Sequence, residues 1–139
     1  MNPAFLLDTN ILSEPVKPSP DATLLDHLRR HSRELATCTV VWHELSFGAG
    51  RLPPGHRRDT LERYLAGVIA TNLLILPYDQ EAATWHARER ARLMGKGLTP
   101  AFVDGQIAAI AAVNDLTLVT RNLRDYQGFQ GLRLTNWFE

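Results

Sequence analysis

Ala4-Phe5-Leu6-Leu7-Asp8-Thr9-Asn10 decides the fold class. Apolar residues in an unbroken run, stopped by an acid and two polar residues, read as a short buried strand and the turn after it. Similar runs follow at Leu35–Cys38, at Leu73–Leu76 (closed by Pro77), at Leu116–Thr120 and near Leu132–Leu134. The segments between them are amphipathic. From Asp21 to Glu34, Leu24, Leu25 and Leu28 recur at helical spacing, after a loop from Pro15 to Pro20. Thr39 is placed to cap a helix carrying Val40, Val41, Trp42, Glu44, Leu45 and Phe47, which Gly48, Gly50 and then Pro53-Pro54-Gly55 should break. Thr60 to Asn72 is again amphipathic, and Asp79 can cap a helix that Gly95 and Gly97 end. Thr99 as cap with Pro100 at the first helical position predicts a last helix running to about Val113. Short strands separated by helices imply βαβ units, hence an α/β fold with a buried parallel sheet between helix layers.

The chain has 139 residues, of which 45% are hydrophobic and 22% charged, which reads as globular. No composition shift or repeat divides it, so a single domain over residues 1–139 is expected. Lys plus Arg and Asp plus Glu are each 15, so a uniformly basic coat for nucleic acid is excluded while local basic patches are not. The one cysteine, Cys38, rules out an intramolecular disulfide and a cysteine-built zinc site, and reads as a small buried hydrophobe. No basic region precedes the first apolar run and no apolar stretch approaches roughly 18 residues, so neither a signal peptide nor a membrane span is expected. Cytoplasmic residence follows as the expectation.

In open α/β sheets, ligands bind outside the carboxyl ends of the strands. Asp8 stands at such an end, where a carboxylate either caps the following turn or faces a crevice. Glu44 and Asp104 lie equally far beyond their expected caps, Thr39 and Thr99, each in the second turn of a helix that starts from the same edge. Both have apolar neighbours, and a carboxylate there is costly to bury without a partner. Each alone reads as readily as half of a surface salt bridge. Together, three acids converging on one crevice would repel one another, and a divalent cation removes that repulsion. Oxygen-only ligands suit Mg²⁺, with Mn²⁺ as a substitute, and such a site suits phosphodiester hydrolysis. Thr120, Asn122 and Asp125 follow the fourth strand at the same edge. Asn122 could hold a water or simply form a turn; Asp125 could reach the site or pair with Arg121 or Arg124.

Leu6-Leu7-Asp8-Thr9-Asn10, Glu44 on a helix, Thr99-Pro100-Ala101-Phe102-Val103-Asp104 and Thr120-Arg121-Asn122, in that order, resemble the PIN-domain nucleases, and among them the VapC-type toxin ribonucleases of bacterial type II toxin–antitoxin systems. The resemblance extends to Gly131-Leu132-Arg133-Leu134-Thr135-Asn136-Trp137. It implies a three-layer α/β/α PIN-like domain and a Mg²⁺- or Mn²⁺-dependent endoribonuclease. Asp8, Glu44 and Asp104 would be the metal ligands, with Asn122 completing the catalytic set. It also implies a homodimer and a cognate antitoxin that occludes the site. Where many PIN domains carry Asp, this chain has Asn122, so the fourth acid is either missing or supplied by Asp125.

Other motifs fail. His43-Glu44 opens a zincin pattern that Phe47 breaks, and Gly50 with Gly55 lacks the Lys-Ser or Lys-Thr of a P-loop. A haloacid-dehalogenase-like phosphatase would use Asp8 as nucleophile but wants Asp where Asn10 stands. A catalytically silent RNA- or protein-binding module is the reading from another class. Among the arginines, Arg121 is the first candidate for a phosphate contact.

Overall fold

The structure is a computed structural model that describes residues 2–139. Five strands form one sheet, β1 (Phe5–Leu7), β2 (Leu35–Cys38), β3 (Leu74–Leu76), β4 (Thr117–Val119) and β5 (Arg133–Thr135). All pairings are parallel and the order is β3-β2-β1-β4-β5. Adjacent strand residues point to opposite faces. Leu6 with Leu7, Thr37 with Cys38, and Leu118 with Val119 are nevertheless all fully buried, so helices cover both faces of the sheet. The expected α/β/α layering is what the chain adopts. The strands begin or end within one residue or so of their apolar runs.

The helices are α1 (Thr9–Leu12), α2 (Ala22–Arg30), α3 (Thr39–Arg51), α4 (His56–Tyr64), α5 (Ala70–Asn72), α6 (Gln80–Gly95) and α7 (Phe102–Val113). Asp21 caps α2 through a 2.9 Å bond from the Leu24 N–H, and Asp79 caps α6 through Ala82 at 2.9 Å. Several expectations are corrected. Helix α2 stops at Arg30 rather than running to Glu34. The α3 cap is Cys38, with extended backbone; Thr39 is already helical and no side chain caps the end. Gly48 and Gly50 lie inside α3, because a glycine costs a helix only about 1 kcal/mol against alanine while the intrahelical bonds persist. What ends α3 is Leu52, held extended by the proline that follows it. Ala101, extended and without a side-chain cap, precedes α7, so Thr99 and Pro100 lie outside the helix. The Thr60–Asn72 segment is helical but not one α-helix: a π turn at Leu65–Ile69 separates α4 from α5, and the wider turn brings both Leu65 and Ile69 into the core. The proline-rich loop opens with a 3₁₀ turn at Glu14–Val16.

The core follows from patterning. In α3 the stripe is Val41, Leu45 and Ala49, all buried. In α7 every residue from Ile107 to Ala111 is buried, as expected of a helix apolar all round. Cys38 is buried, and burial pushes its thiol up to about 11, which makes it inert as a nucleophile. Among the described residues no helix is long and apolar enough to cross a membrane.

Candidate active site

The strand order reverses at β1: β2 and β3 lie on one side of it, β4 and β5 on the other. That switch point, between the carboxyl ends of β1 and β4, is where a crevice opens. Asp8 leaves β1 there and Thr120 leaves β4. The backbone ties the two ends through a bond from the Asp8 N–H to the Val119 carbonyl at 3.0 Å. Asp8 is 6% exposed, and its carboxylate accepts from three donors. Oδ1 takes the Thr9 N–H at 2.7 Å, and Oδ2 takes the Thr120 hydroxyl at 2.8 Å and the Tyr126 hydroxyl at 3.1 Å. Burial raises the Asp8 carboxyl above its ordinary value, and these three bonds only partly oppose it.

Asp104 sits in the first turn of α7, not the second, because that helix starts later than expected. Its Oδ1 lies 3.4 Å from the Tyr126 hydroxyl, so one phenol stands between the strand-end acid and the helix acid. Burial, then repulsion by Asp8, Asp125 and Glu44, pushes the Asp104 carboxyl up to about 6. Glu44, in α3, is joined less directly: its Oε1 accepts the Thr9 hydroxyl at 2.8 Å. Asp125 is exposed, yet its charge acts on both Asp8 and Asp104, which puts it at the same rim. Asn122 is exposed too, and it is its backbone that is engaged. The N–H donates to the Thr120 hydroxyl at 3.1 Å, and the carbonyl accepts from Asp125 at 3.1 Å. Of the two candidates for a fourth place, Asp125 is the one whose charge reaches the acids.

The acids thus gather by two routes. Asp8 and Asp104 meet at Tyr126; Glu44 joins through Thr9. Among the described residues no group of three or more His, Cys, Asp or Glu side chains is gathered closely enough to hold an ion. The donor chemistry still fits a hard divalent cation: the groups are all oxygen, two carboxylates share a hydroxyl, and burial together with their mutual repulsion disfavours the uncompensated charge on Asp104.

Around the acids, the loops are cross-tied. The Asn10 amide donates to the Thr120 hydroxyl at 3.4 Å and its carbonyl accepts the Arg121 N–H at 3.1 Å. The side chain a phosphatase would need as a second acid is here a clamp between the β1 and β4 ends. Arg121 lies with its guanidinium 4.4 Å from the Phe138 ring centroid, stacked on the C-terminal segment rather than paired with Asp125. A cleft of about 550 Å³ opens beside Asp104, lined by Leu98, Pro100, Arg124 and Asp125 among others. His43 is exposed and stacks on Phe47 at 6.3 Å. Two residues of this arrangement had no advance notice in the sequence: Thr9 as the holder of Glu44, and Tyr126 as the bridge. The only hint of the second was a hydroxylated aromatic placed directly after Asp125, in the loop leaving a strand end.

A PIN-domain family model matches residues 5–127. The chain belongs to the PIN-domain family. It is 35% identical to the toxin FitB of Neisseria gonorrhoeae, over 85% of this chain and 87% of that protein. It is 32% identical to the VapC ribonuclease Y4jK of Sinorhizobium fredii, over 97% of this chain and 98% of that one. Among solved structures, FitAcB from Neisseria gonorrhoeae superposes with a TM-score of 0.89 at 29% identity, covering 97% of this PIN-domain chain and 99% of the other. The Y4jK and FitAcB matches each cover 97% of this chain.

Proposed function

We propose that this PIN-domain protein, acting as one domain, is a divalent-cation-dependent endoribonuclease and the toxin of a type II toxin–antitoxin system. The observation that carries the reading is the pairing of Asp8 and Asp104 across one hydroxyl at the sheet's switch point. The names of its relatives, a toxin and a VapC ribonuclease, support it. Asp8 and Asp104, with Glu44, would hold Mg²⁺, or Mn²⁺ in its place. When bound, the cation supplies a Lewis acid for the scissile phosphate and an acidified water. The residues themselves do the positioning. Thr9, Thr120 and Tyr126 fix the Asp8 carboxylate in one orientation, and Thr9 holds Glu44 through Oε1. Asn122 shapes the turn that sets Thr120, while Asp125 adds charge at the rim. Arg124, beside Asp104 in the cleft, is placed to meet the RNA backbone that carboxylates alone would repel.

Attack by water would leave a 3′-hydroxyl and a 5′-phosphate without using the ribose 2′-OH. We expect a cytoplasmic homodimer and a cognate antitoxin that closes the crevice. The experiment is cleavage of RNA with Mg²⁺, with EDTA, and by Asp8→Asn and Asp104→Asn. Each change should cut the rate at least about a hundredfold. Undiminished cleavage in both variants would remove these acids from the reaction. Expression should arrest growth, and a catalytically silent module would not.

A further inference from the structure

Tyr126 is 1% exposed and follows directly on the 3₁₀ turn Leu123–Asp125, which delivers it beneath the crevice. Its ring packs against Phe129 at a centroid distance of 6.5 Å. Packing alone would be served as well by phenylalanine. The hydroxyl is therefore what needs a reason, and it lies 3.1 Å from Asp8 and 3.4 Å from Asp104. An ionised carboxylate can only accept, so the hydroxyl is the donor at both contacts.

A phenol carries one proton and can donate to one acceptor at a time. Asp8, the nearer acceptor, has two further donors in the Thr9 N–H and the Thr120 hydroxyl, which keep both of its oxygens engaged when the phenol proton turns to Asp104. Asp104 is different. Among the described residues, Tyr126 is the hydrogen-bond partner of its carboxylate, and Asp8, Asp125 and Glu44 all repel it. Without the hydroxyl, an acid at the start of α7 would turn away from the strand-end acid toward solvent. A cation would then have to recover that separation at its own expense.

We propose that the Tyr126 hydroxyl is a positioning group that keeps the Asp8 and Asp104 carboxylates together and so sets their joint affinity for a divalent cation. The inference rests on the metal-dependent reading above and deepens it. Tyr126→Phe keeps the ring and removes only the oxygen; Phe129→Leu loosens the ring's packing and keeps the oxygen. Titration of Mn²⁺ into metal-free protein by calorimetry should show binding about tenfold weaker in Tyr126→Phe and within about twofold of wild type in Phe129→Leu. Cleavage by Tyr126→Phe should need correspondingly more Mn²⁺ and recover at saturation, with the RNA KM unchanged. Circular dichroism in EDTA confirms that both variants fold. Equal or tighter Mn²⁺ binding by Tyr126→Phe would overturn the proposal, because the hydroxyl would then be neutral or a competitor. Equal weakening in both variants would overturn it too, by assigning the effect to the ring. Wild-type protein that binds no Mn²⁺ would sink the metal-dependent reading itself, and this inference with it.

Discussion

Gly105 lies directly against the imidazole of His86, so closely that a Cβ at this position would overlap Nε2. The contact joins α6 to α7 one residue beyond Asp104. His86 cannot retreat easily: it is 3% exposed, its Nδ1 is 2.8 Å from the Tyr78 hydroxyl, and its ring packs at 4.7 Å on Phe102. Gly105→Ala should therefore displace the start of α7 and carry Asp104 with it. We expect about 2 kcal/mol of destabilisation and about tenfold slower cleavage. Adding His86→Ala, which clears the space, should restore much of the activity. If the double variant is as slow as the single one, the two residues do not share that space in solution.

Asp104 should destabilise the fold in which we propose it holds a cation. Its carboxyl titrates at about 6, against an ordinary 3.8, because burial and neighbouring acids disfavour the charge. A raised carboxyl favours folding when protonated, so the benefit is complete below the unfolded value and is lost as pH rises through about 6. In EDTA, Asp104→Asn should accordingly melt higher than wild type at pH 8, by about 1 kcal/mol or roughly 3 °C, and the difference should vanish near pH 4. Melting curves across that range decide it; a variant that is less stable at pH 8 contradicts the sign.

Thr9 offers a different separation. Its hydroxyl holds Glu44, but the residue is only half-buried and its backbone N–H, not its side chain, serves Asp8. Thr9→Val should leave the melting temperature within about 2 °C while slowing cleavage about tenfold. Unaltered turnover would show that Glu44 needs no such tether.

Arg124 should matter to binding rather than to chemistry. Arg124→Ala is expected to raise the KM for RNA with little effect on kcat, and to lower the salt dependence of binding by about one phosphate contact. An unchanged salt slope would take Arg124 out of the RNA path.

What could be read from the chain and what could not have separate causes. Leu6 and Leu7, or Leu118 and Val119, are buried on opposite faces, so an uninterrupted apolar run announces a central parallel strand without help from context. Asp8 stands out in the chain as the acid that ends an apolar run, and Glu44 and Asp104 as acids among apolar neighbours, costly to bury without a partner. The helix starts were less legible. Thr39 and Thr99 have the right chemistry to cap, but the extended backbone falls on Cys38 and Ala101 instead, and that is set by where the preceding strand and loop arrive. The glycines of α3 misled because a modest local penalty loses to tertiary packing of Val41, Leu45 and Ala49. Tyr126 was hidden for another reason: its partners lie 118 and 22 residues away, and no spacing rule reaches that far.

The placement of the acids on the sheet bears on how the protein would lose activity. β1 is the middle strand, paired on both sides, and it is the strand from which Asp8 emerges. Amides of such a strand open to solvent only when the whole domain comes apart, whereas helices at the margin exchange far sooner. Deuterium uptake at Leu6 and Leu118 should thus be the slowest in the chain, and a partner that merely frays the periphery would leave the nuclease armed. On the proposed mechanism, silencing it would take covering the crevice, withdrawing the cation or unfolding the whole domain.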